Sequence, residues 1–310
     1  MSLTVTILGS GAAAPAHGRT CSAQLVNVGG CRLLIDCAEG TQHQMRMRQQ
    51  KAMGLSAILI SHLHGDHVLG LPGLLATLHL HGRTAPIDVF APTGLRRMTE
   101  TLLECTSTHL QYDLRLHELV PTALQPIYAN AQCRVSAFPL LHSVPAIGFV
   151  VEEAAMPRNL RKEMCAHYAL SPAQCVAIKG GADLRLADGT TVPNAALTLP
   201  PRQPRRYAYC CDTAYDGSLA AYVQGADMLC AECTFGDELA ALAAEKRHLT
   251  ATQAARLAAE AHAGTLLLTH FSARYKDVQP LVQAARRIFP SVVAAEDGMA
   301  MEVKPNTTDR

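Results

Sequence analysis

The stretch Ile60-Ser61-His62-Leu63-His64-Gly65-Asp66-His67 carries three histidines and an aspartate within six residues, directly after the apolar run 57–60. A run so short, apolar and rich in isoleucine reads as a buried strand. Gly65 breaks it, and Val68-Leu69-Gly70-Leu71-Pro72 opens a new element. His62 and His64 are two residues apart, so in an extended backbone both imidazoles leave the same side. Asp66 and His67 lie past the bend and can face a second centre close by. Neutral imidazole and carboxylate are zinc ligands, and mixed nitrogen and oxygen donors suit a catalytic site with an open position. The interruptions at Leu63, Gly65 and Asp66 speak against a mere surface run of histidines.

Two metals need more donors than this loop holds. His142 follows the apolar stretch 135–141, Asp212 ends the run 207–211, and His270 ends 265–269. Each is a ligand type at the C-terminal end of an apolar strand. Each is weak alone, because a lone histidine there is more often a hydrogen-bonded surface group. With the loop they make five histidines and two aspartates. That set is enough for two zinc ions about 3.5–4 Å apart that share a bridging carboxylate.

Other segments complete a pattern: Leu8-Gly-Ser-Gly-Ala-Ala-Ala-Pro15, Ile35-Asp-Cys-Ala-Glu-Gly-Thr-Gln42, Gly70-Leu-Pro-Gly-Leu-Leu75, Ala231-Glu-Cys-Thr-Phe235, His248-Leu-Thr-Ala-Thr-Gln-Ala-Ala255 and His270-Phe-Ser-Ala-Arg-Tyr275. With His-x-His-x-Asp-His they resemble the metallo-β-lactamase superfamily, and within it the tRNA 3′-processing endonucleases called ribonuclease Z. The resemblance runs from about residue 3 to residue 300. It implies that His62, His64 and His142 hold one zinc, that Asp66, His67 and His270 hold the other, and that Asp212 bridges them. It implies further that Asp66 takes the proton of the attacking water and that His248, oriented by Glu232, protonates the leaving 3′-oxygen. Ser272 and Arg274 are expected to bind phosphate, since arginine offers a rigid fork and serine a short donor. Precursor tRNA is the implied substrate, and a homodimer the implied assembly. Two residues depart from the family's habit: Ala231 stands where histidine is common, and Ala38 where glycine is usual.

The metal motif alone is shared with lactonases, glyoxalase-type thioesterases and β-lactamases. A small-molecule hydrolase acting on a lactone, thioester or cyclic phosphodiester therefore stands as an alternative, as does a non-catalytic nucleic-acid-binding relative. Glu232, His248 and the Ser-Ala-Arg-Tyr segment favour the nuclease.

Donors spread from His62 to His270 must converge, so the 310 residues are expected to form one catalytic domain over 1–304, with a flexible tail at 305–310. Within it, segment 152–206 looks different. It holds six of the 17 prolines, and its eight basic residues against five acidic ones leave it net positive in a chain of net charge +1. The resemblance makes it a protruding arm that grips tRNA, although Leu170-Ser-Pro-Ala-Gln174 lacks the Gly-Pro pair usual at such a tip. Concentrated positive charge suits a nucleic-acid backbone.

No apolar stretch reaches 18 residues and no secretory signal opens the chain, so neither a membrane span nor export is expected. Eleven cysteines, an odd number and many inside apolar runs, fit reduced thiols in a cytoplasm. With no tryptophan and few aromatics the core should be aliphatic. Strands are expected at 5–8, 23–28, 32–35, 57–60, 87–90, 134–138, 147–151, 207–211, 228–231, 265–269, 292–295 and 299–303. Helices are expected at 69–80, 94–104, 252–262 and 278–288, with Thr250 and Gln253 as a capping box. Two strand-rich halves, each followed by helices, are α/β in class. The resemblance refines this to a four-layer αββα sandwich of metallo-β-lactamase type with an arm insertion.

Overall fold

The structure, a computed structural model, describes residues 2–306. The strands in chain order begin with β1 (Leu3–Gly9), β2 (Ala23–Val28), β3 (Cys31–Ile35), β4 (Ala57–Leu59), β5 (Ile87–Pro92) and β6 (Leu114–Leu119). Next come β7 (Gln125–Ala129), β8 (Cys133–Leu140) and β9 (Ala146–Glu153). Four two-residue strands follow: β10 (Asn159–Leu160), β11 (Leu184–Arg185), β12 (Thr191–Val192) and β13 (Thr198–Leu199). The series closes with β14 (Arg206–Cys210), β15 (Met228–Glu232), β16 (Thr265–Thr269), β17 (Val292–Ala294) and β18 (Ala300–Glu302).

Two seven-stranded sheets result, ordered β18-β1-β2-β3-β4-β5-β6 and β17-β16-β15-β14-β9-β8-β7. β3 through β6 run parallel, as do β14 through β17. The sheets face each other across one core, where Val5, Ile7, Val26, Leu33 and Leu59 of the first meet Val135, Phe149, Tyr207, Tyr209 and Leu267 of the second. The intervening residues point the other way. Leu25, Leu34 and Ile58 pack on the helices Leu71–Leu80 and Leu95–Cys105. Ala208, Leu229, Leu266 and Leu268 pack on Ala251–Glu260 and Gln279–Arg286. Helix, sheet, sheet, helix is the four-layer αββα sandwich. Burial on both faces explains why the central strands read as unbroken apolar runs instead of alternating ones.

Besides the two-residue strands β10–β13, two strands of the large sheets escaped the sequence reading, and both are edges. β6 (Leu-Arg-Leu-His-Glu-Leu) closes the first sheet, and β7, which carries Pro126 beside a register shift, closes the second. Edge strands carry charge and proline because their outer hydrogen-bonding groups must not recruit another chain. The helix expected at 69–80 forms as Leu71–Leu80, its start favoured by Pro72, and an unexpected single turn, Gly65–Val68, precedes it. Between them Gly70 passes so close to the Ala38 carbonyl that a Cβ there would collide with it. The Thr250 capping box is present, the Thr250 side chain accepting from Gln253 N and Gln253 Oε1 from Thr250 N.

Residues Glu153–Pro204 form a second compact unit. Its small core of Ile178, Leu184 and Leu197 joins β10–β13, β11–β12 and the helices Lys162–His167 and Pro172–Lys179. Ser171-Pro172 is the capped start of the second helix, with a capping box to Gln174. Arg205 and Arg206, counted with this segment in the sequence, sit in the main unit, where they pair with Glu302 at 3.0 Å and Glu152 at 3.2 Å. Of the expected tail 305–310, residues 307–310 lie outside the described residues. Asn306 donates its backbone N–H to Asp227 Oδ1 at 2.6 Å and its side-chain amide to the His262 carbonyl at 2.9 Å.

Candidate metal centre and catalytic pocket

The candidate donors arrive at the C-terminal ends of strands. β4 runs into His62 and His64, β8 into His142, β14 into Asp212 and β16 into His270, while Asp66 and His67 sit on the turn Gly65–Val68. Asp36, Asp212 and His270 each adopt a left-handed backbone, with φ of 56°, 58° and 58°. A non-glycine residue held there costs about 1–3 kcal/mol, and such strain collects at functional sites. The sharp turn aims each side chain out of its sheet.

His62, His64, His142 and Asp212 bring one ligand atom each within 4.8 Å of one another, and so do His67, Cys211, Asp212 and His270. Asp212 belongs to both groups. Its Oδ2 lies 3.5 Å from His62 Nε2 and 3.8 Å from His142 Nε2, and its Oδ1 lies 3.5 Å from His67 Nε2 and 3.2 Å from His270 Nε2. Asp66 Oδ2 approaches the second group, at 3.4 Å from His270 Nε2 and 3.7 Å from His67 Nε2. The Cys211 thiol instead donates to Asp212 Oδ1 at 3.2 Å, and burial, then the Asp212 charge, pushes its pKa well up, so it remains a thiol.

These residues fit a metal on chemical grounds. Imidazole nitrogens face one another at 3.2 Å (His67 Nε2 and His270 Nε2) and 3.3 Å (His64 Nδ1 and His142 Nε2). His62 Nε2 is buried with no hydrogen-bond partner among the described residues. Lone pairs so crowded, out of water, require a cation or protons between them. The electrostatics agree. Burial, then the charge of His67, drives His62 down to about 2. Burial lowers His67 too, yet Asp212 and Asp36 more than offset it and lift the ring to about 9. For Asp212, burial works upward, but His270, His67 and His62 hold the carboxyl well below its ordinary value. Positive charge belongs at the focus of this set.

Three of the inward nitrogens are aimed by a partner on the opposite side of the ring. His67 Nδ1 meets Asp36 Oδ2 at 2.7 Å, and Asp36 also accepts from Ser61 N and from the Tyr209 hydroxyl, both at 2.7 Å. His142 Nδ1 donates to the Arg247 carbonyl at 3.1 Å, and His270 Nδ1 meets Thr234 Oγ1 at 2.8 Å. Such outer partners set ring orientation and tautomer. Asp36, Thr234 and Arg247 were not singled out in the sequence. Asp36 could have been, because it ends an apolar strand as Asp212 does. Thr234 and Arg247 carry no local signal.

Beside the centre, Glu232 ends β15 fully buried and its Oε2 meets His248 Nδ1 at 2.9 Å. Burial works against charge on His248, but the Glu232 charge and hydrogen bond raise it to about 9. Ala231, the departure noted above, points into the sheet–helix core, on the opposite face from Glu232. A cleft of about 700 Å³ opens over these groups and is lined by Asp66, Asp212, His248, His270, Ser272 and Arg274. Its wall at Ala12–Ala14 belongs to a loop whose Ala13 N–H donates to Asp66 Oδ2 at 2.7 Å. Asp297 ties down both ends of that loop, accepting from Ser10 N and Oγ and from Thr20 N and Oγ1. A larger cavity of about 840 Å³, near Gln42, Arg46 and Lys51, contains none of the donors. The expected site residues therefore lie at one focus or on the wall of one cleft, apart from Glu232, which is buried behind His248. No helix among the described residues is long and apolar enough to cross a membrane.

A family model described as beta-lactamase superfamily domain matches residues 31–159. Human tRNase Z, short form (ELAC1), superimposes with a TM-score of 0.70 at 30% identity, covering 97% of this chain and 99% of that one. The metallo-beta-lactamase fold protein YhfI of Bacillus subtilis gives a TM-score of 0.70 at 20% identity over 97% of this chain and 100% of that one, which speaks for the fold alone. Ribonuclease Z of Parabacteroides distasonis is 38% identical over 96% of this chain and 98% of its own length. Ribonuclease Z of Porphyromonas gingivalis W83 is 38% identical over 97% and 99%. With relatives of that identity matched along nearly their whole length, on a fold shared with tRNase Z and around a donor set suited to a metal cofactor, the chain belongs to the ribonuclease Z family.

Proposed function

We propose that this chain is a zinc-dependent endoribonuclease that removes the 3′ trailer from precursor tRNA and leaves a 3′-hydroxyl on the tRNA. The observation that carries this reading is the adjacency of the Glu232–His248 pair to the five-histidine, two-aspartate focus within one cleft. His62, His64 and His142 would hold one zinc and Asp66, His67 and His270 a second, with Asp212 between them. When bound, zinc supplies Lewis-acid chemistry, bringing the pKa of water toward about 7 and offsetting charge on a phosphoryl oxygen.

The chain's own groups handle the protons. Asp66, held by the Ala13 N–H, takes the proton of the attacking water. Water oxygen bonds to phosphorus, the bond from phosphorus to the tRNA 3′-oxygen breaks, and the trailer departs with the phosphate. His248, kept charged and oriented by Glu232, gives its proton to the leaving 3′-oxygen. Arg274 and Ser272 at the cleft wall bind the phosphate.

Residues Glu153–Pro204 are read as the tRNA-gripping arm, with exposed Lys162, Lys179 and Arg185 offered to the backbone. A homodimer is the assembly proposed from the family. The cytoplasm is the proposed compartment, supported by eleven cysteines that are all free thiols. Incubation with a 3′-extended precursor tRNA transcript, followed by mapping of both product ends, tests the reaction. A generic phosphodiester cut faster than the transcript would turn the reading to a small-molecule hydrolase.

A further inference from the structure

We propose that Thr234 is a positioning residue of this centre: its hydroxyl fixes which nitrogen His270 turns inward and ties that histidine to the Glu232–His248 pair. The assignment rests on the metal-dependent reading above. Thr234 follows β15 by two residues and is 4% exposed. Its Oγ1 lies 2.5 Å from Glu232 Oε2, 2.8 Å from His270 Nδ1 and 3.4 Å from His248 Nδ1.

One hydroxyl has a single proton to give and lone pairs to receive with. Glu232 is an acceptor on both oxygens, taking Thr213 N–H at 2.7 Å on Oε1 and His248 Nδ1 at 2.9 Å on Oε2. The Thr234 proton is therefore committed to Glu232, and toward His270 the same oxygen accepts. His270 Nδ1 must then carry its hydrogen, which leaves the lone pair of the neutral ring on Nε2. That nitrogen is the one facing Asp212 Oδ1 and His67 Nε2, both at 3.2 Å, and Asp66 Oδ2 at 3.4 Å.

His67 and His142 have their rings set by groups with no second duty in the cleft, a buried carboxylate and a backbone carbonyl. Thr234 differs because its proton goes to the carboxylate that also orients His248. The β-branched side chain has few χ1 choices, so the hydroxyl is held between its two partners at little entropic cost. One hydroxyl thus links the residue read as proton donor to a residue read as metal ligand, through the hydrogen-bonded series His248, Glu232, Thr234, His270.

Thr234→Val keeps the shape and removes the hydroxyl, whereas Thr234→Ser keeps the hydroxyl. Zinc affinity is read by competition with a chromophoric chelator. The valine variant should bind zinc roughly 10- to 100-fold more weakly, the range for losing an outer partner of a ligand, and the serine variant should recover wild-type binding. In the zinc-loaded protein the ¹⁵N-coupled Nδ1 proton of His270, visible in wild type and serine variant, should shift or exchange away in the valine variant. A merely structural role would lower the unfolding temperature while leaving zinc affinity and this resonance unchanged. Should the valine variant not fold, Thr234→Ala carries the same expectation. Wild-type affinity in the hydroxyl-free variant would overturn the assignment. Failure of the wild type itself to bind zinc would overturn the metal reading and this assignment with it, and it is seen before any substitution is made.

Discussion

His67 turns Nδ1 outward onto Asp36 Oδ2 at 2.7 Å, and both side chains are fully buried. Asp36 therefore aims the inward nitrogen of a candidate ligand without touching the metal. Removing it strands Ser61 N, the Tyr209 hydroxyl and the ring itself in the core. Asp36→Ala should destabilise the metal-free protein by about 3–5 kcal/mol, as expected when one partner of a buried pair is lost. Asp36→Asn should weaken zinc binding about 10- to 100-fold. Urea unfolding and zinc competition read the two effects; an alanine variant as stable as wild type would contradict them.

Asp212 reaches both donor groups through its two oxygens. Protein purified without chelator should carry close to two zinc ions per chain by elemental analysis, and Asp212→Ala or His64→Ala should abolish both uptake and cleavage. Activity retained at less than half an ion per chain would sink the two-metal arrangement.

His248→Ala removes the proposed proton donor but no metal ligand. Cleavage of precursor tRNA should fall by a factor on the order of 10² to 10⁴ with zinc content intact. Glu232→Gln should move the rate the same way by less, because one acceptor oxygen remains. An unchanged rate in the His248 variant would assign it to the surface instead.

Arg274 is exposed at the cleft wall one residue beyond Ala273, with Ser272 Oγ accepting its backbone N–H at 3.3 Å. Arg274→Ala should slow turnover of precursor tRNA without loss of zinc. Equal single-turnover rates for variant and wild type would take Arg274 out of substrate binding.

Replacing residues 157–201 by a short glycine-rich linker should weaken tRNA binding strongly and flatten its salt dependence, since arm–phosphate contacts release counterions. Hydrolysis of a small phosphodiester should survive, because the donor cluster and its outer partners lie in the main unit. Unimpaired processing at physiological salt would reduce the segment to an insertion of another purpose.

Much of the fold was legible because its central strands are buried on both faces and therefore read as continuous apolar runs. β2 and β16 match their expected spans, 23–28 and 265–269. What escaped was what carries no such run: the edge strands β6 and β7, the short helices Thr41–Met47 and Ala240–Lys246, and the two-residue strands of Glu153–Pro204. Charge counting also failed locally. Arg205 and Arg206 are adjacent to the basic segment in sequence but are held by Glu302 and Glu152 of the main unit.

The sequence by itself determined which residues are candidate donors. Ligand chemistry is a property of residue type, and the end of an apolar strand is a local signal, so His62, His64, Asp66, His67, His142, Asp212 and His270 could be chosen as candidates before any fold was known. Only the tertiary structure decided how those donors are aimed. The partners that orient them, Asp36 behind His67, Arg247 behind His142 and Thr234 behind His270, come from separate strands and loops, 31, 105 and 36 residues away. A hydrogen bond between distant segments exists only once two sheets have brought their strand ends together, and no pattern within either segment records it.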